Sequence, residues 1–540
     1  MGKPTLPDSV LDEAIDAYYL YNGNKSEAAR FLELKRQTYN DRLNMATQRF
    51  GITLGKIANG RVKAKTAIEK PLPLKGQTAR YILTSIQNNT HLHASFANMQ
   101  AFAKFYDAEL IIGTYSYQLA SYGPKAVKRG KHRRQDAELW YAPEAKPYIV
   151  DESVQLAPGL IWAGEQNILP TAKHPLTGFE DYNGRASNIV PHAKIAMESV
   201  ASMADEPTKF NYSTGTITQR NYLQKRAGIL AEQKHSYGGL LVEVDHNGVW
   251  FVRQLHVDED GSIMDIGPVG TSGVVARDGQ VSVEPTVLSV YLADVHAAEL
   301  DVWVKDATWG DGGFIDQLRP STQFAGDVFS MSSRSPHETK DFHQRYLKHT
   351  LGAELVDEEV QQAADVLNDA NRDFCELIIV PANHDRHLNR WLNEADFRVD
   401  PANAKYFCWL QYNVLDAIDR GDKDFNILEF ALVEAGLDKS VRFLSTDESF
   451  LVAGIENGLH GDLGPNGARG STKGLTKLGR PINKGHDHSA AIRDGVYSAG
   501  VCSFSFGYTK GPSSHSVSHI VTYRNGSRAV ITMFDGRFRT

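Results

Sequence analysis

The feature that most constrains this chain is a recurring one. Short apolar runs rich in β-formers each end on side chains that bind divalent cations. Thr286 to Ala293 (TVLSVYLA) runs into Asp294-Val295-His296, and Gln323-Phe324-Ala325-Gly326 runs into Asp327. Leu377 to Val380 leads through Pro381-Ala382 to Asn383-His384, and Phe450 to Ala453 precedes Gly458-Leu459-His460-Gly461. A final block, Lys484-Gly485-His486-Asp487-His488, closes the series. Apolar runs of this length read as buried strands, so the pattern predicts an α/β fold presenting Asp, Asn and His at strand ends. In extended chain, residues i and i+2 face one side. That predicts a shared direction for Asp294 and His296, and again for His486 and His488. Asn383 and His384, being adjacent, should diverge, and Arg386 to Asn393 reads as the start of a helix. Mixed Asp, Asn and His ligands suit Mn, Fe or Zn better than calcium. Each motif alone is weak evidence; their order along one stretch carries the argument.

The chain has 540 residues, which implies two to four domains. Its 41% hydrophobic content supports sizeable cores, and a net charge of −7 excludes a uniformly basic coat while permitting local basic patches. Three scattered cysteines argue for a reducing compartment. No apolar run reaches the ~20 residues of a membrane span, so a cytoplasmic location is the reading.

Four regions follow. Residues 1–50 read as helices over Ser9–Asn22, Lys25–Leu32 and Arg36–Phe50. Their expected inner faces are Val10, Leu11, Ile15, Tyr18 and Tyr19, then Ala28, Ala29 and Leu32, then Tyr39, Leu43 and Ala46. A turn at Glu33–Lys35 makes the last two a helix-turn-helix. Residues 51–79 form a basic linker with Lys56, Arg61, Lys63, Lys65, Lys70 and Lys75. Residues 80–283 read as a middle α/β domain of unassigned role. It has a β-α-β start (Tyr81–Ile86, His93–Tyr106, Glu109–Gly113), a basic loop at 124–134 and a hairpin turned at Asn247-Gly248. Residues 284–540 carry the candidate chemistry.

Two resemblances add to this. Asn24, Ala28, Ala29, Arg42 and Leu43 resemble the Fis-like helix-turn-helix class, which implies DNA contact by Lys35, Arg36, Gln37, Thr38, Asn40, Asp41 and Arg42 near the major groove. The series DVH, GDVFS, ANHD, GLHGD and GHDH resembles the calcineurin-like metallophosphoesterase superfamily, in particular its DNA nuclease branch. That resemblance implies a two-sheet β-sandwich flanked by helices and two divalent ions, with Mn expected and Mg, Fe or Zn as alternatives. Asp294, His296, Asp327 and His488 would bind one ion, and Asp327, Asn383, His460 and His486 the other. His384 would be the proton donor or phosphate stabiliser, and a hydroxide activated by the two ions would attack phosphorus.

The motifs depart from the family where Ala297 and Ala382 replace glycines. They depart again at Ser330, where an acid that orients the catalytic histidine is usual. His337 or Asp385 are the candidate substitutes for that acid. The helix-turn-helix, the middle region and the tail GLHGDLGPNGARGS…KGHDHSAAIRDGVYSAG together resemble phage-encoded phosphoesterases, including DNases of T5-like phages that degrade host DNA. The expected function is therefore a DNase acting on DNA in the bacterial cytoplasm, and the chain's size suggests a homo-oligomer. A phosphatase acting on protein or nucleotide, or a DNA-binding regulator with a vestigial phosphoesterase domain, are the alternatives. The Gly467–Lys473 segment lacks the order of a phosphate loop, though Arg469 or Lys473 can still touch a phosphate.

Overall fold

The computed structural model describes residues 6–20, 25–50, 67–117, 140–203, 206–336, 338, 341–503 and 510–540. Two compact units divide the chain, Met1–Thr66 and Ala67–Thr540.

The first unit holds three helices, α1 (Asp8–Leu20), α2 (Lys25–Phe31) and α3 (Arg36–Phe50). Three- and four-residue spacing puts Tyr39, Leu43 and Ala46 on one face of α3, and all three are buried. Tyr39 and Leu43 meet Ala28 and Ala29 of α2, and Ala14 and Ala17 of α1. The expected inner face of α1 holds at Leu11, which is buried, and at Ile15 and Tyr18, which pack against the cluster. Ala14 and Ala17 join them, Val10 is half-exposed, and the Tyr19 side chain lies outside the described residues. Small residues let α1 approach closely enough for the Tyr39 hydroxyl to donate to the Ala14 carbonyl at 2.9 Å. Burial pushes that hydroxyl up to about 12. The α2–α3 turn closes with Leu34 N donating to Ala29 O, and Glu33 takes a left-handed φ of 58°. Arg36, Gln37, Thr38 and Asp41 are exposed, and Asn40 and Arg42 are half-buried. Asn24 lies outside the described residues.

A six-stranded sheet organises the second unit. Its order is Arg442–Phe443, Glu376–Ile379, Thr322–Ala325, Val287–Tyr291, Ser518–Tyr523 and Arg528–Thr532. The first four strands run parallel, and Ser518–Tyr523 is antiparallel to both its neighbours. Period-two alternation serves two cores. Val290, Ala325, Leu377 and Ile379 face a helix layer that includes Val302–Trp309, Val356–Ala370 and Ile427–Glu434. Tyr291, Phe324, Ile378 and Val380 face a second core shared with other sheets. Burial on both faces explains why these strands read as unbroken apolar runs.

The other sheets contain eleven, four and three strands. The four-stranded one holds the expected β-α-β unit, Thr78–Gln87, helix Phe96–Tyr106 and Glu109–Tyr115, with the strands parallel. It also holds the hairpin Gly238–Asp245/Trp250–His256, whose turn has Gly248 at φ 82° and Asp245 accepting from the Asn247 and Val249 amides.

Two boundaries move. Residues 51–66 and the basic loop at 124–134 lie outside the described residues, but 67–79 is not linker. Ile68–Glu69 pairs with Ser153–Ala157, and Lys70 is ion-paired to Glu109 at 2.8 Å. Nor does the fold divide at 283/284. The eleven-stranded sheet takes strands from both sides, joined where Ala491–Arg493 pairs with His192–Val200. Gln254 also accepts from the Val530 amide. A sheet buries its apolar face wherever partners are found, whatever their distance in sequence. Among the described residues, no helix is long and apolar enough to cross a membrane. The second unit is a mixed α/β structure with several sheets.

Candidate metal centre

Beyond their last ladder residues, the chains leaving Val287–Tyr291 and Thr322–Ala325 stay zipped. Leu292, Val295, His296 and Ala297 amides donate to the Phe324, Gly326, Asp327 and Val328 carbonyls. This pairing carries Asp294, His296 and Asp327 to one place. Asp294 is also clamped from the other side, its amide donating to Gly500 O and its carbonyl accepting from Cys502 N. The neighbouring strand adds Asn383 and His384, and the His384 amide donates to Asp327 Oδ1 at 3.1 Å. His486 N donates to Asp294 Oδ2 at 2.7 Å, and Gly485 N to the His460 carbonyl at 2.9 Å, which seats the last two blocks.

The extended-chain argument does not describe the local geometry. His296, Asp327, His486 and His488 have φ of 46°, 47°, 72° and 55°. Such left-handed conformations cost on the order of 1–3 kcal/mol each and persist only where the surroundings dictate them. They turn the chain sharply at the strand ends, so consecutive polar side chains enter one pocket. His486 and His488 consequently do not share a side. The His486 Nδ1 lies 3.0 Å from Asn383 Oδ1, whereas His488 Nε2 lies 3.2 Å from His296 Nε2 and 3.4 Å from Asp294 Oδ2.

Two lobes result. Asp294, His296, Asp327 and His488 are buried, with ligand atoms all within 4.8 Å of one another, and this group can hold a metal ion. Beside it, His460 Nε2 lies 3.1 Å from Asp327 Oδ2, and the His460 and His486 rings are 5.6 Å apart. Asp327 touches both lobes.

Burial and charge make these residues fit a cation. Asp294 Oδ1 and His460 Nδ1 are buried without a hydrogen bond, and His460 Nε2 and Asp327 Oδ2 face each other at 3.1 Å with no further partner. Uncompensated buried polar atoms of this kind are costly, and a bound divalent ion compensates them. Burial pushes Asp294 up to about 8, with Asp327 adding to the effect. Although burial opposes it, His460 holds Asp327 well below the usual carboxylate range. Burial lowers His296 to about 3 and His488 to about 2, so both imidazoles are neutral, as ligands must be.

Two glycines leave room for this packing. A Cβ on Gly326 would lie 2.7 Å from His460 Nδ1, and one on Gly485 2.0 Å from Asp294 Oδ1. Gly485→Ala therefore displaces Asp294, and calorimetric Mn titration is expected to show affinity about 10–100-fold weaker. Unchanged affinity would mean that Asp294 is not a ligand.

His384 is half-buried, its ring edge-on to His296 at 4.8 Å. The one described candidate for its missing partner acid, Asp385, is engaged elsewhere. Asp385 accepts from Phe329 N at 3.0 Å, and burial pushes it up to about 7. The Ser330 side chain turns to His296 Nδ1 at 3.0 Å, leaving the Ser330 carbonyl 3.5 Å from His384 Nδ1. His337 lies outside the described residues.

Sequence reasoning missed several neighbours of the centre. Asp487 is gripped by Lys484 Nζ and Thr472 Oγ1, each at 2.8 Å, which fixes the turn between the two histidines. His515 lies against His488 with ring centres 5.0 Å apart. Glu299 accepts from Ser330 Oγ at 2.6 Å. Lys484 stands directly before the Gly-His-Asp-His block in the sequence, but its burial is visible in the structure alone.

Over 478 residues the chain is 38% identical to Protein A1 of Escherichia phage T5, an alignment covering 86% of this chain and 83% of that protein. The chain belongs to the phage Protein A1 family. The A1 alignment is long enough that it includes part of the metal centre. No family model matches the chain. No solved structure matches it either.

Proposed function

We propose that this A1-family protein is a metal-dependent phosphodiesterase that hydrolyses DNA, degrading host DNA in the cytoplasm of the infected bacterium. Residues 284–540 of its second unit would form a calcineurin-like metallophosphoesterase domain. The observation that carries the reading is the two-lobed pocket in which Asp327 is shared. Asp294, His296, Asp327 and His488 would hold one ion, and Asp327, Asn383, His460 and His486 a second. Bound there, divalent ions supply Lewis-acid charge neutralisation and activation of water.

The remaining work falls to the chain. Asp327 sets the spacing of the two lobes. His384, half-buried beside His296, is placed to donate a proton or hydrogen bond to a phosphoester oxygen at the pocket mouth. DNA as substrate is supported by the three-helix unit. Its α3 presents Arg36, Gln37 and Thr38 to solvent, with Asn40 and Arg42 beside them. Side chains of this kind reach base edges and phosphates when a second helix enters the major groove.

Incubating the purified full chain with linear and closed circular DNA, with Mn or Mg and with a chelator control, tests the reading. Metal-dependent loss of linear DNA alone indicates an exonuclease, and loss of both an endonuclease. If neither is degraded while a phosphomonoester is hydrolysed, the phosphatase alternative replaces the nuclease. Metal binding with no hydrolysis at all favours a vestigial domain.

A further inference from the structure

The residues around Ser330 point to a positioning device for the metal centre. Ser330 stands three residues after Asp327 and is only 8% exposed. Its hydroxyl donates to Glu299 Oε2 at 2.6 Å, and its oxygen lies 3.0 Å from His296 Nδ1. A serine hydroxyl has a single proton. With that proton committed to Glu299, Ser330 Oγ can only accept from His296, so Nδ1 carries the ring proton. The proton-free nitrogen is then Nε2, which faces His488 Nε2 at 3.2 Å and Asp327 Oδ2 at 3.7 Å.

We infer that Glu299 and Ser330 form a carboxylate–hydroxyl–imidazole relay that fixes the tautomer and orientation of His296 and strengthens Nε2 as a metal donor. The inference rests on the reading of His296 as a ligand. It assigns Ser330 a partner different from the one its position suggests, since its side chain serves His296 and not His384. Outer partners of ligating histidines commonly work in this way, usually through a directly bonded carboxylate. Here the carboxylate acts one group further back. The backbone supports the arrangement. Glu299 N donates to His296 O at 2.8 Å, closing a single 3-10 turn over Ala297–Glu299 that brings Glu299 back over its own ligand. The left-handed φ of 46° at His296 starts that turn.

The test compares Ser330→Ala, Ser330→Thr, Glu299→Gln and His296→Ala with the wild-type full chain. Mn affinity is read by calorimetry, and the melting temperature of the metal-free protein is read alongside. Ser330→Ala is expected to weaken Mn binding about 10–100-fold, the range for loss of an outer partner. Glu299→Gln should weaken it in the same direction, and Ser330→Thr, which keeps the hydroxyl, should retain it. Metal-free melting temperatures should stay at the wild-type value, which separates positioning from mere packing. Wild-type affinity in Ser330→Ala alongside a defect in His296→Ala would overturn the relay alone. So would weakening that only tracks a fall in metal-free stability. Full affinity in His296→Ala would overturn the ligand reading beneath it.

Discussion

Alanine at Asp327 is expected to empty both lobes of the centre together. Asp327 lies between the two lobes and contacts a histidine of each. Its Oδ2 is 3.1 Å from His460 Nε2 on one side and 3.7 Å from His296 Nε2 on the other. Its Oδ1 accepts the His384 amide at 3.1 Å. On the proposed sharing, removing it takes a ligand from each set, and it also frees the loop that presents His384. Metal content per chain, measured after dialysis against Mn, should fall to background, and affinity should fall by at least the ~100-fold seen when an outer partner alone is lost. Asp327→Asn keeps the shape and the hydrogen bond to His384 but not the charge, and it should show the same loss if the variant remains folded. One fully occupied ion in either variant would refute the sharing.

His384→Ala should separate chemistry from binding. The contact that ties residue 384 to Asp327 is a backbone N–H, which alanine retains, and the His384 ring nitrogen Nδ1 faces the Ser330 carbonyl at 3.5 Å. Metal content should therefore stay near wild type, while turnover of a phosphodiester falls about 10²–10⁴-fold, the usual contribution of a positioned acid or base. Collapse of metal content would make His384 a ligand. Unaltered turnover would remove it from the reaction.

The sequence made some levels of this structure legible and hid others. Helix α3 was readable to its end residues because Tyr39, Leu43 and Ala46 repeat at helical spacing and Phe50 is followed by Gly51. The strand-end residues of the centre were readable because doubly buried strands advertise themselves as apolar runs, and the polar residue after each stands out. The reason Asp294 and His296 converge was not readable. It lies in left-handed backbone at His296 and in pairing with the 324–328 segment, neither of which leaves a periodic trace. Glu299 escaped notice because its role exists only through Ser330, a residue on a different strand's exit. The supposed boundary near 284 reflected a change in local motif density, while strand pairing between His192–Val200 and Ala491–Arg493 is invisible to local pattern.

That shared sheet bears on inheritance. A chain built of separable modules can be recombined between them, because few contacts cross such a boundary. Here a crossover near residue 284 would pair an Ala491–Arg493 strand from one parent with a His192–Val200 strand from another, in the interior of the eleven-stranded sheet. The seam would run through buried hydrogen bonds and packed side chains, so only parents already matched across it would give a folded product. The stretch Ala67–Thr540 is thus expected to travel as one evolutionary block, with the metal centre bound to the fate of strands that contribute no ligand to it.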